Sequence, residues 1–212
     1  MIDRARRSAA GPDFSSTMRR NGFSLVELIA ALAIAATMLL IAIPSAQGLY
    51  AKVRIHTAGQ EAAMTFRMAR MTAIKTGREA AVRIEIFPAG YRLAIYRDGN
   101  GNGVLTKDIL KGTDKPATGS HGWDRGDVRI GILHGVRVPD PSSPSKPLTG
   151  IDDPVRFNKS DICSFSPLGE CTPGSLYLTD GRTRMAVVRV YNRTGRIRVL
   201  YFTAGARRWE ES

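Results

Sequence analysis

The sequence predicts an α+β protein in which one long N-terminal helix packs on antiparallel β-sheet. Residues 28–43 carry no charge, and the apolar positions after them recur every three or four residues as far as Ala73. After Gly77 the apolar period changes to two, which is typical of half-buried strands. A chain of 212 residues suits one such domain with an appendage.

Composition excludes several classes of protein. The 43% of apolar residues are enough for a core, which excludes a disordered tail protein. Two cysteines exclude a disulfide-dense scaffold, and a single long apolar run excludes a multi-span transporter. The 31 Lys and Arg exceed the 19 Asp and Glu to give a formal charge of +12. This excess raises the question of an anionic partner.

The helix is predicted in two halves. Residues 23–43 hold one charge, Glu27, and at ~1.5 Å per residue they span about 30 Å, the hydrocarbon thickness of a bilayer. Pro44 is expected to kink the helix, and Gly77 to cap its C-terminus. The second half carries one apolar stripe that we expect to pack on the sheet: Ile55, Ala58, Ala62, Phe66, Ala69 and Ala73.

Alternating apolar residues predict the strands that follow. A loop rich in Pro and Ser is expected at 140–154, and Asp180-Gly181 and residues 192–195 are expected to be turns. The predicted strands are Ala80–Phe87, Tyr91–Tyr96, Val128–Leu133, Ser175–Leu178, Met185–Tyr191 and Ile197–Phe202.

The N-terminus has three interpretations. A cleaved secretory signal would use Arg19 and Arg20 as its basic region and residues 46–48 as its cleavage site, but the apolar run is long for one and contains an acid. A plain signal anchor explains the arginines and gives Glu27 no role. A third interpretation accounts for Glu27.

Residues 19–29, RRNGFSLVELI, resemble the class III leader of type IV pilins and type II secretion pseudopilins. The resemblance implies that prepilin peptidase cuts between Gly22 and Phe23, that Phe23 is N-methylated, and that the apolar helix is retained. Met18 is an alternative start that leaves a much shorter leader.

In the mature chain Glu27 would be the fifth residue, one turn from the new amino group of Phe23. A carboxylate there can pair with this amine or with that of a neighbouring subunit, which lowers the cost of burying both charges. The resemblance implies that this contact sets subunit register. The simpler alternative is an acid that stabilises a helix N-terminus.

The globular part resembles the GspH/FimT pseudopilins at residues 98–103, 165–169, 175–178 and 195–199, and fits them less well at 115–154. The resemblance implies a pilin-like fold, with a single pass through the bacterial inner membrane and the C-terminal domain in the periplasm. The implied partners are other pseudopilins, bound through their N-terminal helices, prepilin peptidase and the inner-membrane secretion platform. The implied segments are a leader at 1–22, a transmembrane helix at 23–44, an amphipathic helix at 45–77 and a β-rich domain at 78–212.

Asp98, Asn100 and Asn102 have the spacing that opens a calcium loop, although Asp108 falls one residue short of the closing position. The alternative is a tight turn without metal. Cys163 and Cys171 would form a disulfide in an oxidising periplasm, or remain two thiols. His56, His121 and His134 lack the spacing of metal ligands, and no G-x-S-x-G element is present, so no enzyme and no other cofactor is expected.

Arginines crowd the last 31 residues. Arg196 and Arg198 alternate on one predicted strand, so both point to one face, and in FimT-like minor pilins the GRxR element is associated with DNA capture. The alternatives are a solvated face or a salt-bridged contact with a neighbouring pseudopilin. The sequence therefore predicts a minor pseudopilin of a type II secretion system, with a FimT-like DNA-uptake pilin and an unprocessed, membrane-anchored binding module as alternatives.

Overall fold

The computed structural model describes residues 24–88, 90–117, 121–123, 128–191 and 194–211, with the side chains of 44–46 and 121–123 left aside. The chain divides into two compact units, Met1–Ser45 and Ala46–Ser212. Its elements are α1 (Leu25–Thr76), β1 (Ala80–Phe87), β2 (Gly90–Arg97), α2 (Thr106–Leu110), β3 (Lys115–Pro116), β4 (His121–Trp123), β5 (Arg129–Ile130), β6 (Val155–Arg156), β7 (Ile162–Phe165), β8 (Gly174–Thr179), β9 (Arg184–Tyr191), β10 (Arg196–Thr203) and β11 (Trp209–Glu211).

Helix α1 is one continuous element, as predicted, and Gly48 and Gly59 do not interrupt it. It ends at Thr76, and the next residue, Gly77, has a φ of 63°, which is the left-handed conformation of a C-terminal cap. The helical backbone passes through Pro44, and the kink expected there stays a prediction.

The strands form two antiparallel sheets. In the first sheet the order is β3-β2-β1-β7, and β4 also pairs with β2. In the second sheet the order is β11-β10-β9-β8-β5, and β6 also pairs with β8. The α+β architecture predicted from the change of period is therefore confirmed.

The predicted stripe of α1 lies in the main core. All six of its members are at most 2% exposed. They share one buried cluster with Val82 and Leu93 of the first sheet and with Val188 and Val199 of the second. Burying a side chain the size of Phe66 stabilises a fold by roughly 1.5–3 kcal/mol, so this stripe holds the second half of the helix on the strands.

The opposite face of the second sheet is partly covered by residues 131–150. Side chains alternate along β9, so that Ala186 and Val188 join the main core while Met185 and Val187 join a second cluster. Trp209 fixes the covering segment by donating its indole N–H to the carbonyl of Pro139 at 2.7 Å. The second cluster consists of Ile132, Leu133, Val138, Leu148, Tyr177, Met185, Val187 and Phe202.

Five of the six predicted strands are confirmed, with ends that differ by a residue or so. The strand expected at Val128–Leu133 contains only Arg129–Ile130, because Ile132 and Leu133 turn to the cluster that covers the outer face of the sheet. Five of the described strands were not predicted: β3, β4, β6, β7 and β11. Each has two to four residues, too few to establish a period.

Candidate functional sites

The N-terminus of α1 carries the residues assigned to maturation and assembly. Gly22 and Phe23 lie outside the described residues. Ser24 comes directly before the helix, and its Oγ accepts the Glu27 N–H at 3.2 Å. Ser24 is therefore the N-cap. This role of Ser24 was not predicted, although Ser24 and Glu27 form the S-x-x-E pattern of a capping box. Glu27 lies in the first turn, where the helix dipole favours an acid.

The apolar half of α1 exposes its side chains. Leu25 is 75% exposed, Met38 66% and Ile43 52%. Among the described residues, α1 is the one helix that is long and apolar enough to cross a membrane, judged by length and composition. Such a surface requires a bilayer or other apolar helices around it.

The loop after β2 is closed by two buried aspartates. Asp98 Oδ1 accepts the N–H groups of Asn100 and Gly101 at 3.0 and 2.8 Å, and Oδ2 accepts that of Gly103 at 3.1 Å. Asp114 joins the ends of the loop, since its carboxylate accepts the N–H groups of Gly99 and Leu105 at 3.0 Å. The role of Asp114 was not predicted, because this residue lies beyond the span of a calcium loop that begins at Asp98.

Electrostatics follow from these contacts. Burial acts to raise the pKa of Asp98, but the backbone N–H bonds of Gly101, Gly103, Asn100 and Asn102 outweigh it, so this pKa is lowered. Burial and the charge of Asp98 raise the pKa of Glu79.

Within the described residues, no three His, Cys, Asp or Glu side chains are placed to hold a metal. The observed hydrogen bonds are those of a structural turn, and calcium binding by Asp98, Asn100 and Asn102 stays a prediction.

The two cysteines are free thiols in the structure. The Cys163 thiol faces the carbonyl of Thr172 at 3.5 Å, and the Cys171 thiol donates to the carbonyl of Tyr191 at 3.0 Å. Both lie in the same part of the first sheet, because Phe165 pairs with Cys171 across an isolated bridge. Burial raises the pKa of both thiols, that of Cys163 more strongly. The disulfide stays a prediction.

The predicted arginines lie on the outer face of the second sheet. Arg196 is exposed, and Arg198 forms an ion pair with Glu211, with 3.2 Å between Nε and Oε1. Arg198 is opposite Arg189 in the register of β9 and β10, and Arg196 is opposite Tyr191. The Arg189 guanidinium lies 5.1 Å from the centroid of the Tyr191 ring. The structure thus brings both predicted arginines together with Arg189 and Tyr191. It also places Glu211 beside Arg198, where its carboxylate would compete with any other anion for this guanidinium.

The histidines lie in different parts of the structure. His56 stacks on Tyr201, with 3.7 Å between the ring centroids. Burial, followed by the charges of Lys52 and Arg184, lowers the pKa of His56. His134 is exposed, and His121 belongs to β4, with a side chain outside the described set.

Two family models match the chain. The model described as the prokaryotic N-terminal methylation motif matches residues 17–43, a range that includes Gly22, Phe23 and Glu27. The model described as type II transport protein GspH matches residues 58–195, from the buried half of α1 to the turn before β10. The chain belongs to the GspH family. No curated protein and no solved structure matches the chain.

Family membership confirms three predictions. The GspH chain has the pilin-like α+β fold, with a long apolar helix packed on antiparallel sheets. It is a structural, non-enzymatic protein, because that is the character of GspH pseudopilins. The methylation motif together with the apolar helix supports prepilin-type processing and membrane anchoring.

Proposed function

We propose that this GspH chain is a minor pseudopilin of a type II secretion system. Prepilin peptidase cuts it between Gly22 and Phe23, Phe23 is N-methylated, and the chain sits in the inner membrane with residues 46–212 in the periplasm. It then joins a short pseudopilus through its N-terminal helix, and the growing filament pushes folded cargo towards the outer membrane.

One observation carries this proposal. The methylation motif at residues 17–43 precedes the GspH region at 58–195, and the helix shared by both regions exposes large apolar side chains between Leu25 and Ile43. A helix of this kind is stable in a bilayer before assembly and among similar helices afterwards. The second half of α1 differs, because its apolar stripe from Ile55 to Ala73 is already buried against the sheets.

Glu27 makes the assembly step specific. A carboxylate in an apolar helix is costly to bury unless a cation is beside it. The amino group created at Phe23 supplies that cation, from the same chain or from the next subunit. Helix alignments that bring this carboxylate and amine together are favoured over other registers. In this proposal the chain acts by assembling into a filament.

The proposal is tested by measuring assembly of the Glu27→Gln variant. This substitution keeps the shape of the side chain and removes its charge. We expect the variant to be processed and retained in membranes, to lose its cross-links to other pseudopilins, and to leave cargo in the periplasm. Glu210→Gln is the matched control, because Glu210 is exposed at the far end of the chain. Wild-type assembly and export by Glu27→Gln would contradict the proposal.

The outer face of the second sheet favours a second candidate, DNA capture by a FimT-like minor pilin. Arg189, Arg196 and Arg198 lie beside Tyr191, so guanidinium groups for phosphates and a ring for stacking share one surface. Glu211 reduces the positive charge of this surface by pairing with Arg198. Neighbouring genes for a secretion ATPase and secretin would support secretion, whereas competence genes would support DNA capture.

A further inference from the structure

A basic cavity of about 470 Å³ opens at the C-terminal end of α1. Thr76, the last residue of α1, lines it together with Arg97 of β2 and Lys115 of β3. Arg78, from the connection between α1 and β1, adds a third cation to the lining. All of these residues belong to the unit Ala46–Ser212. Neither the GspH assignment nor assembly through the apolar helix gives them a role.

Two of the cations lie directly opposite each other. Arg97 pairs with Lys115 in the antiparallel register of β2 and β3, so their side chains leave the same face of the sheet with about 5 Å between the Cβ atoms. Both residues are exposed. Like charges in this position destabilise a sheet. An anion bound between the two side chains would remove this repulsion.

The surroundings of the cavity only partly neutralise its charge. Within the described part of the chain, the ion pairs involve other side chains. Arg78 donates to the carbonyl of Gly99 at 3.1 Å, which positions the guanidinium and leaves its charge in place. Asp98 also lines the cavity, where its carboxylate accepts N–H groups of its own loop. The C-terminus of α1 adds roughly half a negative charge, so the three cations remain in excess.

We propose that this cavity binds the carboxylates of an acidic segment in a partner protein. Exposed ion pairs are weak one at a time, so a single small anion would bind poorly. Several carboxylates on one chain act together, because the later contacts are intramolecular once the first has formed.

An acidic peptide fits the lining better than a nucleic acid does. Each residue of a peptide other than proline carries an N–H group that can face Asp98, whereas a phosphate backbone offers this carboxylate only further negative charge. The described lining also contains no aromatic ring on which a base could stack.

The partner is a different protein, because a second copy of this chain has the wrong charge. Each copy carries a formal charge of +12, so two copies repel each other. The acids near the C-terminus are already paired, Glu210 with Arg208 and Glu211 with Arg198. The inference goes beyond the proposed function and holds for secretion and for DNA capture alike, since it requires neither leader cleavage nor filament formation.

The test measures peptide binding by the full chain in micelles of an uncharged detergent. The probe is a fluorescent peptide of alternating Glu and Gly, and the control peptide has Gln in place of every Glu. Fluorescence anisotropy gives the affinity. We expect the wild-type chain to bind the Glu peptide and not the Gln peptide, because the carboxylates supply the contacts.

Two triple variants locate the site. The matched control removes two exposed arginines and one exposed lysine elsewhere. We expect the cavity variant to bind the Glu peptide at least about fivefold more weakly than the wild type, and the control to bind it like the wild type. The cavity variant is Arg78→Gln, Arg97→Gln and Lys115→Gln, and the control is Arg67→Gln, Arg137→Gln and Lys159→Gln.

A double variant separates loss of charge from a displaced loop. Arg97→Gln with Lys115→Gln leaves the hydrogen bond of Arg78 to Gly99 in place. We expect it to unfold at no lower temperature than the wild type and to bind the Glu peptide with an affinity between those of the wild type and the triple variant. Wild-type affinity in this double variant would overturn the inference.

Other results would overturn it as well. These are equal binding of the Glu and Gln peptides by the wild type, and equal loss of binding in the two triple variants. Displacement of the labelled Glu peptide by inorganic phosphate or a short DNA duplex, at a lower concentration of charge than unlabelled Glu peptide requires, is a third. An unprocessed chain that binds the peptide would contradict the proposed function alone, whereas a processed chain that does not bind it would contradict the inference alone.

Discussion

Gly59 of α1 lies directly against Val199 of β10. A Cβ added at Gly59 would be 3.0 Å from Cγ1 of Val199 and 3.2 Å from Cβ of Ala186. The helix therefore approaches the second sheet as closely as a residue without a side chain permits. Gly48 of the same helix differs, because an added Cβ there would meet no atom within 4 Å.

The contact predicts opposite effects for two glycine substitutions. Gly59→Val forces bulk between the helix and β10, and we expect it to lower the free energy of unfolding by about 1–3 kcal/mol. Gly48→Ala is the control, and we expect it to raise stability by up to ~1 kcal/mol, because alanine is the better helix former. Denaturant unfolding of the detergent-solubilised chain measures both. A Gly59→Val chain as stable as the wild type would show that the helix is not seated this closely.

Asp98 predicts a second stability effect. Asp98 is 4% exposed and accepts hydrogen bonds from three backbone N–H groups, so Asp98→Ala removes three hydrogen bonds to a charged acceptor. We expect a loss of about 1–3 kcal/mol near neutral pH. Asp152→Ala, at an exposed position, should have little effect. If both variants unfolded alike, the loop would not depend on the Asp98 carboxylate.

The same residue predicts a pH dependence. The folded pKa of Asp98 is lower than its ordinary value of 3.8, so the unfolded chain binds the proton first as pH falls. The stabilisation is complete above about pH 3.8 and is lost as pH falls through the folded value. The stability gap between wild type and Asp98→Ala should therefore be constant at neutral pH and should narrow only in strong acid. A gap that closed between pH 7 and pH 5 would contradict this assignment.

The arginines on the outer face of the second sheet allow the DNA-capture function to be tested. If Arg196 and Arg198 contact phosphates, Arg196→Gln with Arg198→Gln should abolish the gel shift of a DNA fragment at low salt, where phosphate contacts are strongest. Arg67→Gln with Arg137→Gln removes the same charge elsewhere and should bind like the wild type. If the wild-type chain failed to bind at low salt, DNA capture would be excluded.

The sequence predicted the elements that repeat a period over many residues. The stripe from Ile55 to Ala73 and the long strands β1, β2, β9 and β10 each contain enough turns or alternations to set a pattern. Strands such as β6 and β7 exist only because distant residues supply their pairing, for example Val82 opposite Cys163. A local pattern does not contain that information.

The candidate sites divide in a similar way. Gly22, Phe23 and Glu27 could be assigned from a contiguous motif, and Arg196 and Arg198 from alternation along one strand. Asp114 and Glu211 could not be assigned, because Asp114 joins Gly99, 15 residues before it, to Leu105, and Glu211 pairs with Arg198, 13 residues before it. One cavity in the unit Ala46–Ser212 is lined by Arg54, Arg129 and Arg182, which lie on a helix, a strand and a turn, so no local pattern indicates it.

The most direct test of the account is the mass of the N-terminal peptide of the chain isolated from its native membranes. We predict a chain that begins at Phe23, is heavier by one methyl group and retains residues 25–43. Gly22→Ala should leave the leader attached, whereas Asn21→Ala should be processed. A native chain with residues 1–22 still in place, or one that has lost the apolar helix, would contradict the account.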